Sequence, residues 1–310
     1  MEVNKVYQGD SAELMKQLPD NFIDLTVTSP PYDNLRDYNG FKFDFKTIAK
    51  ELYRVTKQGG IVVWVIGDET KNFCESLSSF KQAIYFVEVA GFNLLDTMIY
   101  KKRSSPPAYP TLKRYTNQFE YMFVFSKGKP KTFNQIKEPR ESTLNTNSTY
   151  RQKDGSFRKK HKDSDTKFKL KSNVWEYKTG FIAGEEKIKF EHPATFPDKL
   201  PEEHIISWSN KGDLVFDPFA GSGTTLKMAM LNDRNYLGFE ISAEYCALIN
   251  KRIGSNLSGF IHTSANADPK GAFNKDLTAT QQVASPKCPS DTSLNPDIKR
   301  NLSLVLPRYD

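Results

Sequence analysis

Two short stretches of this 310-residue chain end an apolar, β-branched run on residues that can do chemistry. In the first, "LTVTSPPY" (25–32), two prolines and an aromatic follow a run suited to a buried strand. Proline has no amide proton and fixes its own φ, so Pro30 and Pro31 stop the ladder and leave the Pro30 carbonyl without a ladder partner. A stiff turn carrying that carbonyl, the Ser29 hydroxyl and the Tyr32 ring can grip a planar ligand that bears an amine. The same residues also make an ordinary proline-capped loop, and the stretch by itself does not separate the two.

In the second, "DLVFDPFAGSGTTLKMAM" (213–230), a strand breaks into a glycine-rich turn that opens a helix. Gly221 and Gly223 allow close backbone approach, and the amino end of the helix offers amides to a polar group. Seventeen residues after Gly223, Glu240 ends the next expected strand, where a carboxylate suits the two hydroxyls of a ribose. Nicotinamide cofactors use a related turn, but here Thr224 and Thr225 follow Gly223 and the third glycine of that fingerprint is missing. The fit is to a nucleoside with an amino-acid tail. Asp217 either serves this pocket or merely caps the turn.

The elements that must hold these turns alternate. The pattern predicts strands at 22–28 and 61–68, a helix over 45–60 stopped by Gly59-Gly60, a helix over 78–92, and strands at "NLLDTMIYKK" and "FEYMFVFSK". A second set follows: a helix over 197–213, the strand "LVFDPFAG", the helix "TTLKMAMLNDR", the strand "YLGFEIS" and the helix "AEYCALINKRI". Such alternation builds an α/β layer sandwich on a largely parallel sheet. Residues 128–190 lose the apolar period, become polar and basic, and do not read as part of the sheet. From about Asn256 the chain is rich in Ser, Thr, Asn, Pro and Ala and is expected to be a mostly disordered tail, with "LSLVLP" as a docking segment.

Composition is that of a soluble globular protein, 38% apolar and 26% charged, with no apolar run near the roughly 20 residues a membrane helix needs. The amino terminus "MEVNKVYQGD" lacks the apolar core of a signal peptide, so a cytoplasmic location is expected, nucleoid-associated when DNA is bound, with no membrane partner. Cys74, Cys246 and Cys288 are scattered and read as reduced and structural, with no zinc site. The net charge of +7 is concentrated: residues 151–171 hold nine Lys/Arg against three Asp, net +6, which leaves +1 for the rest. Such a run can be a solvated loop. The aromatics Tyr150, Phe157, Phe168 and Trp175 around it favour a polyphosphate partner.

"DPFAGSGTT" resembles the S-adenosylmethionine-binding motif of amino-methylating DNA methyltransferases, and "TSPPY" resembles their catalytic motif. "HPATFPDKLPEEHI" (192–205) is similar to that family's cofactor-pocket segment, and "QGDSAELMKQLPDNFIDL" (8–25) to the stretch whose Asp, here Asp10, faces the adenine side of the cofactor. "RVTKQGGIVVWVIGD" and "FEYMFVFSKGKP" resemble its sheet segments. The likeness covers about residues 4–254, apart from the basic insert. With the catalytic motif first and the cofactor motif last, the order is that of the β subgroup.

The resemblance implies a Rossmann-like S-adenosylmethionine-dependent methyltransferase fold with a mostly parallel seven-stranded sheet and permuted motif order. It divides the chain into a catalytic half (1–127), a target-recognition insert (128–190), a cofactor half (191–255) and the tail (256–310). It places Asp10, His192, Pro193, Ala194, Thr195, Asp217, Pro218, Phe219, Ala220, Gly221, Ser222, Gly223, Thr224 and Glu240 at the cofactor. Ser29, Pro30, Pro31 and Tyr32 become catalytic, and Arg158, Lys159 and Lys160 of the insert face DNA; beside the resemblance, "KKRSSPPAYPTLKRY" (101–115) reads as a DNA-facing loop with Lys113 and Arg114 near phosphates, and Arg36 as a contact to the flipped nucleotide. Alternatives stay open for several: Asp10 also reads as the N-cap of "SAELMKQL", His192 as a packed loop histidine and Arg36 as a surface residue.

An exocyclic amine is a poor nucleophile because its lone pair is delocalised into the ring. Ser29 and the Pro30 carbonyl can accept its two protons, while Tyr32 stacks on a base flipped out of the duplex. Transfer is then an in-line displacement ruled by positioning, with no metal and no covalent intermediate. In the family, Ser at position 29 is typical of cytosine-N4 enzymes, and Asp or Asn of adenine-N6 enzymes. The sequence therefore favours double-stranded DNA methylated at cytosine N4, with adenine N6 as the runner-up. A DNA-binding module with a vestigial pocket is disfavoured by Asp217, Gly221, Gly223 and Glu240, and a nicotinamide-dependent reductase by the missing glycine. A cognate restriction endonuclease and a monomeric or homodimeric state are both compatible with the sequence.

Overall fold

The computed structural model describes residues 1–31, 43–72, 74–103, 115–140, 149–159, 167–178 and 197–265. Eight strands form one sheet: β1 (Lys5–Gln8), β2 (Ile23–Thr28), β3 (Thr56–Ile66), β4 (Asn93–Lys102), β5 (Phe119–Ser126), β6 (Val174–Tyr177), β7 (Leu214–Asp217) and β8 (Asn235–Glu240). Their order is β1-β8-β7-β2-β3-β5-β4-β6. β5 is antiparallel to both neighbours and every other neighbouring pair is parallel.

Among the described residues six α-helices accompany the sheet: α1 (Ser11–Met15), α2 (Phe45–Val55), α3 (Ser78–Tyr85), α4 (Lys199–Trp208), α5 (Thr224–Leu231) and α6 (Ala243–Ala265). Met15, Ile48, Leu52 and Phe86, the last in the π-turn after α3, pack on one face with Val62, Trp64 and Ile66 of β3. Leu200, Ile205, Leu226 and Ile249 pack on the other face with Ile61, Val63 and Val65. Because both faces are covered, β3 reads as an unbroken apolar run rather than an alternating one.

The topology fixes where a ligand can sit. β2 leads through α2 to β3 on one side, and β7 leads through α5 to β8 on the other. β2 and β7 are adjacent and parallel, so the chain departs in opposite directions from their carboxyl ends. In open α/β sheets that switch point is the crevice where ligands bind. Both singled-out turns leave from it.

Several sequence expectations are corrected. Helix α2 stops at Val55, because Thr56 turns its hydroxyl back onto the Leu52 carbonyl (2.6 Å) and pairs with Ile23. Gly59, at φ +79°, therefore lies in β3, where the pairing register shifts, and does not cap a helix. The sheet has eight strands instead of seven, since the insert contributes β6 beside Ile99–Lys102. Trp175 is buried there and donates to the Ser172 carbonyl (2.8 Å), so it is a core residue and not part of a basic surface. Lys171 pairs with Glu203 of α4, which also accepts from Tyr177 (2.5 Å), tying the insert to the helix. Helix α6 runs on to Ala265, past the expected start of the tail. The "LSLVLP" segment and Cys288 lie outside the described residues. Cys74 and Cys246 are free thiols, and Cys74 is exposed. Among the described residues no helix is long and apolar enough to cross a membrane.

Candidate active site

The cofactor-type turn is built from β7 outward. Asp217 ends the strand fully buried and accepts the Phe219 amide (3.0 Å) and the Thr28 hydroxyl (2.6 Å) on the same oxygen, Oδ1. Burial raises its carboxyl to about 6, with the hydrogen bonds from Thr28 and Phe219 opposing the rise and Glu240 adding to it. The Pro218 carbonyl accepts from the Ser11 hydroxyl at the start of α1. The Phe219 ring meets Trp64 edge-on at 6.3 Å and so anchors the turn to the core. Ala220 is buried and donates its amide to the Phe239 carbonyl (2.9 Å).

Gly221 and Gly223 have φ of +52° and +78°, the left-handed region that glycine adopts without a steric cost. A Cβ on Gly223 would also lie 2.9 Å from Ile249 of α6. Thr224 opens α5, with its hydroxyl 3.3 Å from that of Ser222. Beneath the turn the buried guanidinium of Arg252 donates to the Ser222 carbonyl.

Glu240 ends β8 beside this turn. Its Oε2 accepts the Gly221 amide (2.8 Å) and its Oε1 the Ser242 amide (2.9 Å). Burial pushes its carboxyl up, and the amides of Ser242, Gly221 and Ile241 hold it down. Each oxygen keeps acceptor capacity for a hydroxyl. The Gly9 amide donates to the Glu240 carbonyl (3.0 Å), which sets Asp10 beside this strand end. Oδ1 of Asp10 caps α1, accepting from Ala12 (2.8 Å) and Glu13 (3.2 Å), so the N-cap role is present in the fold. The left-handed glycines and the hydrogen-bonded carboxylate fit S-adenosylmethionine.

The second turn leaves β2 one strand away. Ser29 is half-buried, Pro30 buried and Pro31 half-buried. Thr225 of α5 donates its hydroxyl to the Val27 carbonyl (3.1 Å), so α5 touches β2 directly. Tyr32, Arg36, Lys113, Arg114, Lys160, His192, Pro193, Ala194 and Thr195 lie outside the described residues. Arg158 is exposed in a two-stranded hairpin, Thr149–Arg151 with Phe157–Lys159, opposite Tyr150. Lys159 ends that hairpin. Sequence reasoning missed Thr28, Thr225, Ser11 and Arg252. Their partners are 189 to 207 residues away for the first three and 30 for Arg252, so no local pattern marks them.

Comparison with known proteins agrees with this geometry. Residues 23–251 match the model of the N6/N4 DNA methylase family. The chain is 53% identical over 246 residues to the orphan methyltransferase M.BamHII of Bacillus amyloliquefaciens, covering 77% of this chain and 92% of that one. The fold superposes on the cytosine-N4-specific PvuII DNA methyltransferase with a TM-score of 0.61 at 21% identity, covering 86% of this chain and 98% of that one. It also superposes on a DNA modification methylase of Thermus thermophilus complexed with S-adenosylmethionine (TM-score 0.56, 23% identity, 83% and 95% covered). A family match across most of the chain, on a fold whose switch point carries both motif turns, leaves one assignment: the chain belongs to the N6/N4 DNA methylases and is an S-adenosylmethionine-dependent DNA methyltransferase.

Proposed function

We propose that the chain methylates the exocyclic N4 amine of a cytosine flipped out of double-stranded DNA. The observation that carries this reading is the adjacency of the two turns: Thr28, immediately before Ser29, is hydrogen-bonded at 2.6 Å to Asp217 at the root of the glycine turn. When bound, S-adenosylmethionine supplies an electrophilic methyl on sulfur. Ser29 and the Pro30 carbonyl accept the two amine protons, which localises the nitrogen lone pair, and Tyr32 holds the ring face. Glu240 takes the ribose hydroxyls, Asp10 and the His192–Thr195 segment line the cofactor, and Gly221 and Gly223 keep side chains out of its way. The hairpin bearing Arg158 and Lys159, with Lys160, Arg36, Lys113 and Arg114, meets DNA phosphates.

Cytosine is favoured over adenine because a serine stands at position 29; the family itself includes both activities, so adenine N6 is the runner-up. Identity to a relative named as an orphan methyltransferase favours a chain that acts without a dedicated endonuclease. Methylating DNA in vitro, digesting it to nucleosides and separating them by mass spectrometry tests the base. N4-methylcytosine is expected. N6-methyladenine would transfer the same site to the runner-up, and no modified nucleoside would overturn both.

A further inference from the structure

Backbone pairing joins β2 to β7 at Leu25 with Val215 and at Thr26 with Phe216. Past that register, where the chemistry lies, side chains span the two strand ends. The buried Thr28 hydroxyl donates to Oδ1 of Asp217 (2.6 Å), and the Thr225 hydroxyl donates to the Val27 carbonyl (3.1 Å). Thr28 is fully buried and directly precedes Ser29; Asp217 is 2% exposed and directly precedes the cofactor turn. The bridge therefore reaches from the residue beside the amine acceptor to the residue at the base of the cofactor loop.

We propose that Thr28 is a positioning residue for methyl transfer: its hydroxyl, acting through Asp217, sets the separation of the amine-binding turn from the cofactor turn. The inference rests on the reading of Ser29-Pro30 as the amine site. In the reaction an N–C bond forms from the amine lone pair and the S–C bond breaks with its electrons left on sulfur. One amine proton is released to solvent. An in-line displacement of this kind depends steeply on alignment, and a misplacement of about 1 Å costs on the order of 100-fold. Two strand ends without backbone pairing between them need such a tether. The same Asp217 oxygen also accepts the Phe219 amide, which fixes the carboxylate against the cofactor turn on one side and Thr28 on the other.

Thr28→Val keeps the side-chain shape and removes the hydroxyl, whereas Thr28→Ser keeps the hydroxyl. The valine variant should slow single-turnover methyl transfer by about 100-fold, while its calorimetric Kd for S-adenosylmethionine and its Kd for DNA stay within about threefold of wild type. The serine variant should recover most of the rate. Without any cofactor, the Asp217 carboxyl followed by NMR should titrate at higher pH in Thr28→Val than in wild type or Thr28→Ser, because the hydrogen bond that favours its ionised form is gone. If Thr28→Val does not fold, Thr28→Val with Asp217→Asn removes the charge together with the donor and should fold and be slow. A valine or double variant that transfers methyl at the wild-type rate, or a serine variant as slow as valine, overturns the proposal. Loss of cofactor affinity in step with the rate would overturn it too, while a failure of Ser29→Ala to affect transfer would instead remove the reading on which it rests.

Discussion

The turn after β2 and the turn after β7 leave adjacent parallel strands at the same edge of the sheet, yet they are made from opposite chemistry. Pro30 and Pro31 carry no amide protons, so at these two positions the backbone of the first turn offers a ligand acceptors and no donors. Gly221 and Gly223 expose the backbone, and the second turn opens helix α5, whose amino end presents donors and a partial positive charge. An acceptor turn suits an amine that must lose a proton. A donor turn suits the carboxylate of an amino-acid tail. On the proposed reading, the contrast lets one switch point hold an electron-rich nucleophile and a cationic methyl donor side by side without either competing for the other's groups.

The largest effect is expected from removing the backbone freedom of the donor turn. Gly221→Val puts a β-branched residue at φ +52°, which costs about 1–2 kcal/mol of stability and closes the approach to the cofactor. Calorimetric titration with S-adenosylmethionine should show no binding to the folded variant. An unchanged Kd would place the pocket elsewhere.

A moderate effect is expected at the charge under that turn. The Asp217 carboxyl is raised from 3.8 to about 6, chiefly by burial, so its contribution to stability is greatest below pH 3.8 and is lost as pH rises through about 6. Above pH 6 the ionised group thus costs the fold about 3 kcal/mol. Asp217→Asn removes this titration, so in urea unfolding its stability relative to wild type should rise between pH 4 and pH 8 by up to that amount. A difference that stays flat with pH would show that the carboxylate is not penalised by burial.

Pro30→Ala probes the acceptor turn with the smallest change. It restores an amide proton and loosens φ, and should lower stability by about 0.4–1 kcal/mol with a few-fold loss of turnover. A turnover equal to wild type would mean that the proline serves only to end the strand.

Much of this contrast was legible in the sequence, because proline and glycine act locally. The buried runs of β2, β3, β7 and β8 announced themselves through β-branched residues next to turn formers, and Glu240 through its spacing from Gly223. What could not be read was set by long-range packing. Gly59 looked like a helix stop but sits in β3, whose neighbour β2 is distant in sequence. Trp175 looked like one of the aromatics of a basic patch until the pairing of β6 with β4 buried it. Thr28 looked like one more β-branched strand residue, and only the approach of Asp217 from 189 positions away gives its hydroxyl a role.

The central claim, that a base amine meets the donor methyl at Ser29 and Pro30, is tested most directly by single-turnover methyl transfer in Ser29→Ala. Losing the hydroxyl leaves the base and cofactor bound but the amine poorly oriented, so the rate should fall by about 100-fold while both Kd values change by less than about threefold. A Ser29→Ala protein that transfers methyl as fast as wild type would contradict the account.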